Sequence, residues 1–290
     1  DRLERESGLP RSAMEKFASI YKEACSAVFV YSMGLTQSQH GVENVRSIAT
    51  LALARGMVGR EKCGIMPIRG HSGVQGGSEV GLVPDKFPGG RAINEATAHE
   101  MEVLWGAPVP AHPGMATPLM MEAAHQGQVD FLYNIGGNLF ETMPDRRFAR
   151  EAIGRIGVRV HQDIVVNTSA LLEGDLVVLL PAMTRYEQPG GGTATSTERR
   201  IRFSPEIPGP RIGEAKPEWE IPILLARKVN PGLEKSLPYV HPREIREEIE
   251  RIVPLYKGIA ALQKEGEWVQ WGGERLFEGG VFDKMPGGRA

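Results

Sequence analysis

The amino-acid sequence predicts an α/β protein with a parallel sheet, and three observations lead to this fold class. Short apolar runs rich in β-branched residues recur along the chain, and segments with apolar residues at helical spacing separate them. Within these runs the apolar residues are nearly continuous, which is typical of strands that are buried on both faces. The length of 290 residues, 41% of them hydrophobic, is enough for roughly two domains with their own cores.

A strand, a polar loop and a helix form the first unit of this pattern. The expected elements are a helix over residues 12–24, a strand over residues 27–31 and a helix from Gly41 to Gly56 or Gly59. The loop from Gly34 to Gly41 follows the carboxyl end of the strand, where open α/β sheets bind ligands. Residues 60–92 show little periodicity and are expected to be mostly irregular, which is uncommon unless such a long loop is functional.

A longer alternation of helices and strands follows. The expected elements are helices over residues 93–105, 119–126, 144–153, 168–172, 218–227 and 242–252, and strands over residues 129–135, 157–161 and 176–180. A glycine- and threonine-rich stretch over residues 182–200 and the tail from Gly266 lack a clear period. The three strands predict a parallel sheet with both faces covered.

Charge and cysteine usage exclude several classes of protein. The net charge of −2 gives no support to binding of nucleic acid or of a membrane surface. No apolar run approaches the ~18 residues of a membrane span. Cys25 and Cys63 have no CxxC spacing, which argues against a disulfide scaffold and against a local iron–sulfur motif. The seven histidines show no metal-binding pattern. We therefore predict a cytoplasmic protein with no metal ligand in these residues.

The stretch from Pro67 to Gly81 combines glycines with interleaved polar side chains. Five of its fifteen residues are glycine, and Arg69 and His71 lie among them. Glycine allows positive φ angles and a close approach of the backbone to a ligand. Exposed amides with one guanidinium suit an extended ligand that carries phosphate groups. The alternative is a cluster of surface turns.

Two other polar segments follow predicted strands. Gly136, Gly137 and Asn138 come directly after the strand that ends at Ile135, and amides at such a helix start could face a diphosphate. A simple turn at the strand exit is the alternative. Asp163 could accept a hydrogen bond from a ribose hydroxyl or a guanine edge, or it could be a helix N-cap. Neither segment matches the dinucleotide fingerprint GxGxxG, and the sequence contains no GxxxxGK[ST] loop.

Several motifs occur in one order along the chain. They are Tyr31-Ser-Met-Gly-Leu-Thr-Gln37, Gly41-Val-Glu-Asn-Val-Arg46, Pro67-Ile-Arg-Gly-His-Ser-Gly-Val-Gln-Gly76, Gly136-Gly-Asn138, Gln162-Asp163, Asn167-Thr-Ser169, Asp175 to Pro181, Glu187, Thr197-Glu-Arg-Arg200 and Phe282 to Ala290. Together they closely resemble the catalytic subunits of the molybdopterin oxidoreductase family, the formate dehydrogenase and dimethyl sulfoxide reductase group. The Arg-Gly-His-Ser form is most similar to a formate-dehydrogenase-like branch of that family.

The resemblance implies a fold and a domain organisation. The fold would be the Rossmann-like, parallel-sheet lobes of the formate dehydrogenase and dimethyl sulfoxide reductase fold. Residues 1–72 would be the C-terminal half of one cofactor-binding lobe, residues 73–205 a second lobe, and residues 206–290 a mostly helical and irregular segment that leads to a C-terminal domain. Family members are much longer, so we expect these residues to be a central fragment of a larger enzyme, inactive in isolation.

The resemblance also implies a cofactor. In the full-length enzyme this would be bis-molybdopterin guanine dinucleotide with molybdenum, which we expect to be absent from the isolated fragment. The molybdenum ligand, and any iron–sulfur cluster, would lie outside this chain. The small-molecule substrate would be oxidised or reduced by two electrons, with formate as a candidate, and an electron-transfer subunit is an expected partner. No nucleic acid partner and no membrane span are expected.

Site residues follow from the same resemblance, position by position. Arg69 would lie beside the molybdenum and orient an anionic substrate, since a guanidinium presents a fork of donors to a carboxylate. His71 stands where formate dehydrogenases often have an amide, which leaves formate open as the substrate. The expected cofactor-binding residues are Met33 and Gln37 for one pterin cofactor, Gly136, Gly137 and Asn138 for the diphosphate of the second, Asp163 and Asn167 for its guanosine, and Glu198.

Two other functions remain open from the sequence. One is a non-catalytic scaffold that keeps the family fold without its cofactor. The other is a generic nucleotide-binding α/β protein, which would bind GTP or GDP without a pterin. The second alternative leaves the Arg-Gly-His-Ser stretch unexplained.

Overall fold

The computed structural model describes residues 2–283 and divides the chain into two units. The first unit contains residues 2–71 and 272–283 of the described part, and the second contains residues 72–271. The proposed domain boundary near residue 205 stays a prediction. The motif match over Phe282 to Ala290 lies outside the described residues from position 284 onward.

A two-stranded parallel sheet organises the first unit. Its elements are α1 (Arg2–Ser7), α2 (Arg11–Glu23), β1 (Val28–Tyr31), α3 (Met33–Thr36), α4 (Gly41–Ala54) and β2 (Gly64–Pro67). Strand β1 pairs with β2 in parallel, from Val28 opposite Gly64 to Tyr31 opposite Pro67. The predicted strand and the helix from Gly41 are confirmed, and the loop expected between them contains the one-turn helix α3. The α4 helix ends at Ala54. Gly56, two residues later, has a positive φ of 60°, which is common just after a helix.

The second unit contains the remaining α-helices and strands of the described chain. They are α5 (Gly73–Glu79), β3 (Lys86–Phe87), β4 (Arg91–Ala92), α6 (Glu95–Trp105), α7 (Thr117–His125), β5 (Phe131–Ile135), α8 (Leu139–Thr142), α9 (Arg146–Gly154), β6 (Val158–Asp163), β7 (Leu176–Pro181), β8 (Gly192–Thr195), β9 (Arg200–Ser204), α10 (Glu220–Val229), α11 (Pro242–Ile252) and β10 (Trp268–Gln270). The predicted helices that correspond to α6, α7, α9, α10 and α11 are confirmed.

Strands β5, β6 and β7 form the predicted parallel sheet, with β6 in the centre. The register places Ile135 opposite Gln162 and Asp163 opposite Pro181, so the three carboxyl ends lie along one edge. Helices α7 and α9 pack here around Met121, Ala149 and Ile153, which are almost fully buried. This core fixes the sheet on which the candidate site is built, and the α/β fold class with parallel sheets is confirmed.

An antiparallel sheet of β8, β9 and β10 was not predicted. Its central strand alternates arginine with apolar residues, and Ile201 and Phe203 point into a core that also contains Tyr256 and Ile259. Such alternation is the pattern of a half-buried strand. This sheet was missed because the glycines and threonines around β9 show no apolar periodicity of their own.

Residues 60–92 are irregular over about half of their length, but they also contain four elements that were not predicted, β2, α5, β3 and β4. One further expectation was wrong. Residues 168–172 form a turn instead of a helix. The side-chain oxygen of Asn167 accepts hydrogen bonds from the amides of Ser169 (3.0 Å) and Ala170 (3.4 Å). Such hydrogen bonds, from backbone amides to an asparagine side chain, compete with the backbone hydrogen bonds of a helix. Among residues 2–283, no helix is long and apolar enough to span a bilayer.

Candidate functional site

The turn after β5 has a backbone that favours glycine. Gly136 and Gly137 have φ angles of 67° and 80°, in the left-handed region that side chains disfavour. The Asn134 side-chain amide donates to the carbonyl oxygens of both glycines, at 3.3 and 3.0 Å. These bonds hold the carbonyl groups of the turn and set where its amides lie. The turn therefore has a fixed shape at the carboxyl edge of the sheet.

Asn138 ends this turn and begins α8. Its side-chain oxygen accepts from the Glu141 amide (3.4 Å) and from the Ser169 hydroxyl (2.7 Å). Ser169 is 1% exposed, and its hydroxyl oxygen also accepts from the Phe140 amide at 2.7 Å. The Asn138 amide group donates to the Thr168 hydroxyl at 2.8 Å. The loops after β5 and β6 are thus joined by buried polar contacts.

Asp163 and Asn167 belong to the same network. The Asn167 side-chain amide donates to a carboxylate oxygen of Asp163 at 2.9 Å and to the Gly137 carbonyl oxygen at 3.4 Å. The other Asp163 oxygen accepts from the Ile164 amide at 2.7 Å. Four residues that the sequence predicted for the second cofactor, Gly137, Asn138, Asp163 and Asn167, are therefore brought together at one sheet edge.

A cavity of about 300 Å³ lies beside Asp163 and Asn167. Its walls are mainly apolar and include Ile164, Val165 and Val166, each of which is more than half exposed. A planar heterocycle packs well on such a surface, and the polar groups at the rim could fix its orientation. The shape and chemistry of the cavity and the network suit a ligand with one flat apolar part and one polar part.

His161 also lines this cavity. Its side chain is 3% exposed, and within residues 2–283 neither ring nitrogen has a hydrogen-bond partner. Burial, and next the charge of Arg159, lower the pKa of His161, while the charge of Asp163 opposes this shift. A buried polar group without a partner is rare and points to a missing ligand or water. The histidines show no pattern in the sequence, so the structure makes His161 a candidate that the sequence did not single out.

The other face of β6 carries a second polar group of side chains. Tyr133 donates a hydrogen bond to the Gln162 side chain, and Gln162 donates to the Glu218 carbonyl oxygen at 3.0 Å. Desolvation, and then the charge of Asp163, raise the pKa of the Glu218 carboxyl group. Carboxyl groups with a raised pKa are frequent at functional sites. Glu218 lies 56 residues from Gln162 in the chain, so no local pattern could have revealed it.

The two glycine-rich stretches contact each other in the second unit. The Thr195 hydroxyl donates to the Ser72 carbonyl oxygen (2.8 Å) and accepts from the Gly76 amide (3.1 Å), so it is inserted into the first turn of α5. A Cβ atom on Gly76 would lie 2.6 Å from the Thr195 methyl carbon. The buried glycine therefore allows α5 to pack closely on β8.

The remaining predicted residues lie outside this network. Arg69 and His71 are exposed in the segment after β2, and neither forms a hydrogen bond or ion pair within residues 2–283. Met33 begins α3, and the backbone amide of Gln37 donates to the Met33 carbonyl oxygen at 2.8 Å. Glu198 is exposed in the turn between β8 and β9. A hydrogen bond from its own backbone amide to its carboxylate lowers the pKa of that carboxyl group. The structure thus assembles part of the predicted set.

No metal-binding cluster was found in the described part of the chain. Within residues 2–283, no group of three or more histidine, cysteine, aspartate or glutamate side chains could hold a metal ion. Cys25 and Cys63 are both free thiols.

Comparison with known proteins gives the family. The sequence model of the molybdopterin oxidoreductase family matches residues 9–228. A probable oxidoreductase of Bacillus subtilis is 32% identical over 270 residues, and a putative formate dehydrogenase of Staphylococcus aureus is 33% identical over 270 residues. The alpha subunit of an F420-dependent formate dehydrogenase of Methanocaldococcus jannaschii is 31% identical over 264 residues.

These alignments cover 91–92% of this chain but only a part of each relative. The chain spans 26% of the length of the two bacterial proteins and 38% of the archaeal subunit. The family match covers most of the parallel-sheet region and the Pro67 to Gly81 stretch. The chain belongs to the molybdopterin oxidoreductase family.

Proposed function

We propose that this chain is the part of a molybdenum-dependent, formate-dehydrogenase-like catalytic subunit that binds portions of two molybdopterin guanine dinucleotides. The observation that carries the proposal is the network of Gly137, Asn138, Asp163 and Asn167 at the carboxyl edge of β5 and β6. Parallel sheets bind ligands at this edge. Family membership supplies the class of ligand.

The residues present fit the nucleotide end of such a cofactor. Amides at the Gly136–Asn138 turn would face the diphosphate, since backbone N–H groups at a turn that leads into a helix attract phosphate oxygens. Asp163 and Asn167 would bind the guanosine, and the exposed apolar residues from Ile164 to Val166 would contact the flat face of the base. The unpartnered ring nitrogens of His161 support a polar ligand in the same cavity.

By the family resemblance, exposed residues elsewhere in the chain would serve the reacting end. The Arg69 guanidinium would neutralise and orient an anionic substrate such as formate, and His71 could exchange a proton at an imidazole nitrogen. Met33 and Gln37 would border the other pterin cofactor, and Glu198 is a further candidate. When bound, the molybdenum cofactor supplies the two-electron redox chemistry, and these side chains bind, position and exclude water.

Two further elements of the proposal concern the whole enzyme. An electron-transfer subunit would exchange the two electrons with the final acceptor. The location would be the cytoplasm, which the two free cysteines favour. Names of the relatives support formate as the substrate, since two of the three are described as formate dehydrogenases.

The proposal is tested by titrating the purified chain with GDP, which carries the guanosine and diphosphate of the cofactor. We expect saturable binding by calorimetry, with ADP bound more weakly. Asn167→Ala removes the side chain that joins Asp163 to Gly137 and should weaken GDP binding about tenfold or more.

A matched control is Asn230→Ala. Asn230 likewise accepts a hydrogen bond from a backbone amide, that of Gly232 at 3.1 Å, but it is exposed and lies after α10. It should leave GDP binding unchanged. Absence of GDP binding by the folded wild-type chain, or equal binding by Asn167→Ala, would reject the assignment of this edge to the guanosine diphosphate.

A further inference from the structure

Arg246 is a buried cation that lacks an acidic partner. Its side chain lies on α11 and is 4% exposed. One terminal nitrogen donates to the Leu262 carbonyl oxygen at 3.3 Å, and the buried Nε has no partner within residues 2–283. In the same part of the chain, no carboxylate lies within 4.0 Å of the guanidinium. Arginine is seldom buried to this degree without a charged partner.

The contacts around Arg246 offset only part of the free-energy cost of burying its charge. Its guanidinium carbon lies 5.4 Å from the centre of the Phe203 ring, a contact that attracts a cation weakly. The carboxylate of Glu247 attracts it over a longer distance, but that carboxylate pairs with Arg243 at 3.0 Å. Arg243 itself repels Arg246. A buried charge left in this state destabilises the fold, and a bound anion would relieve it.

Arg246 lines a cavity of about 480 Å³ at the start of α11. Other donors lie in the same wall, including Arg243, His241 and Gln263. The Nδ1 atom of His241 accepts the Arg243 amide at 3.1 Å, so its proton is on Nε2, next to Gly190 of the cavity wall. The amides at this helix start are already bonded, since the Glu244 carboxylate accepts from the Val240 and His241 amides at 2.7 and 3.1 Å, so the side chains are the donors that a ligand would meet.

Negative charge in this cavity is already paired. Glu206 is the one carboxylate among its lining residues, and it forms an ion pair with Arg211 at 2.5 Å. The cavity therefore offers donors and positive charge, and among its lining residues no carboxylate is left unpaired. Its volume is in the range of sites that hold small organic molecules.

We propose that this cavity binds a small organic anion through a carboxylate or phosphoryl group held by the Arg246 guanidinium. The planar fork of Arg246 matches both groups in geometry, and Arg243 and His241 Nε2 supply further donors. The cavity lies on α11 and β9, apart from the network at the edge of the parallel sheet, so the inference does not depend on the proposed cofactor.

Thermal unfolding of the purified chain tests the proposal, with inorganic phosphate and malonate as probes and chloride at equal ionic strength as the reference. A ligand of the folded state raises the unfolding temperature in proportion to its occupancy. We expect one or both probes to raise it beyond the chloride reference. The probe with the larger shift identifies a phosphoryl or a carboxylate ligand.

Arg246→Met keeps a similar volume and removes the charge. We expect the variant to be at least as stable as the wild type without a probe, since the unpaired buried charge is gone, and to bind the probe at least about tenfold more weakly. Arg251→Gln is the matched control, because Arg251 lies on the same helix, exposed and paired with Glu248 at 3.5 Å. This control should keep the full response to the probe.

A second measurement requires no variant that might fail to fold. The arginine Nε–H resonances of the wild-type chain are followed by NMR during the phosphate and malonate titrations. The Nε–H resonance of Arg246 is assigned through its own side chain, because Arg159, Arg200 and Arg227 also have buried Nε groups. A shift of this resonance with the saturation seen in the thermal data supports the proposal. Equal responses of Arg246→Met and wild type, or no response to either probe beyond chloride, would overturn it.

Discussion

Single polar side chains hold the loops of the candidate site together. Asn138 caps α8 and at the same time bonds the buried Ser169 hydroxyl and the Thr168 hydroxyl of the neighbouring loop. An N-cap alone contributes about 1 kcal/mol, whereas a buried group left without its partner costs about 1–3 kcal/mol. Asn138 therefore has a structural role as well as its proposed contact with a diphosphate.

Replacement of Asn138 should cost more than replacement of an ordinary cap. Asn138→Ala removes the cap and leaves the Ser169 hydroxyl without its acceptor, so we expect a loss of about 2–3 kcal/mol in the free energy of unfolding. Asn94→Ala is the control, because Asn94 caps α6 through Thr97 alone, and it should cost about 1 kcal/mol. Urea unfolding measures both. Equal losses would show that the hydrogen bond from Ser169 to Asn138 contributes nothing to the free energy of unfolding.

His161 should make stability depend on pH. Its pKa in the folded chain is lowered by burial first and by Arg159 second, so the folded state resists protonation. Between the unfolded pKa of about 6.5 and the lower folded value, the unfolded chain binds the additional proton. Stability is therefore full above about pH 6.5 and falls as the pH drops below it, by up to about 1.4 kcal/mol per unit.

The His161→Phe variant tests this contribution. It cannot take up the proton, so its free energy of unfolding should decline less between pH 7 and pH 5 than that of the wild type. Comparison at pH 8, where His161 is neutral in both states, separates the effect of packing from the effect of charge. A decline as steep as that of the wild type would show that His161 is not the group that titrates.

At the scale of elements, α5 and β8 depend on one close contact. The Thr195 side chain is 6% exposed and is fixed by its bonds to Ser72 and Gly76, so it cannot move away from a new methyl group. Gly76→Ala should therefore destabilise the chain by about 1–3 kcal/mol. Gly77→Ala is the matched control, because its added Cβ would meet only Leu82, at 3.8 Å.

The control should be neutral or stabilising by up to about 1 kcal/mol, since alanine favours a helix more than glycine does. Chemical unfolding of the two variants in parallel measures the difference. If Gly76→Ala were as stable as Gly77→Ala, the close packing of α5 on β8 would be contradicted.

At the scale of the whole molecule, the sequence predicted elements that carry their own pattern. The runs around Leu132, Val160 and Val178 are apolar enough to identify β5, β6 and β7, and alternation with helices made a parallel sheet the expected arrangement. Strand β2 and the β8–β9–β10 sheet were missed. Their short segments are held by pairing with distant strands, and propensity does not report such pairing.

The residues of the candidate site, too, could be predicted from the sequence only in part. Gly136 to Asn138, Asp163 and Asn167 follow predicted strands, so their common edge could be expected before the structure. Glu218 and Thr195 could not be found, because they reach Gln162 and Gly76 from positions 56 and 119 residues away. Within residues 2–283, the ring nitrogens of His161 and the Nε of Arg246 lack hydrogen-bond partners because tertiary packing buries them, and a single sequence does not report that packing.

The central claim is that this chain contributes a binding site for molybdopterin guanine dinucleotide. The most direct measurement is the nucleotide and metal content of the full-length gene product, purified from a host that makes the cofactor. Acid release followed by chromatography quantifies GMP, and mass spectrometry quantifies molybdenum. The account predicts two GMP for each molybdenum, and a marked loss of both in Asn167→Ala. Molybdenum without GMP, or protein with neither, would contradict it.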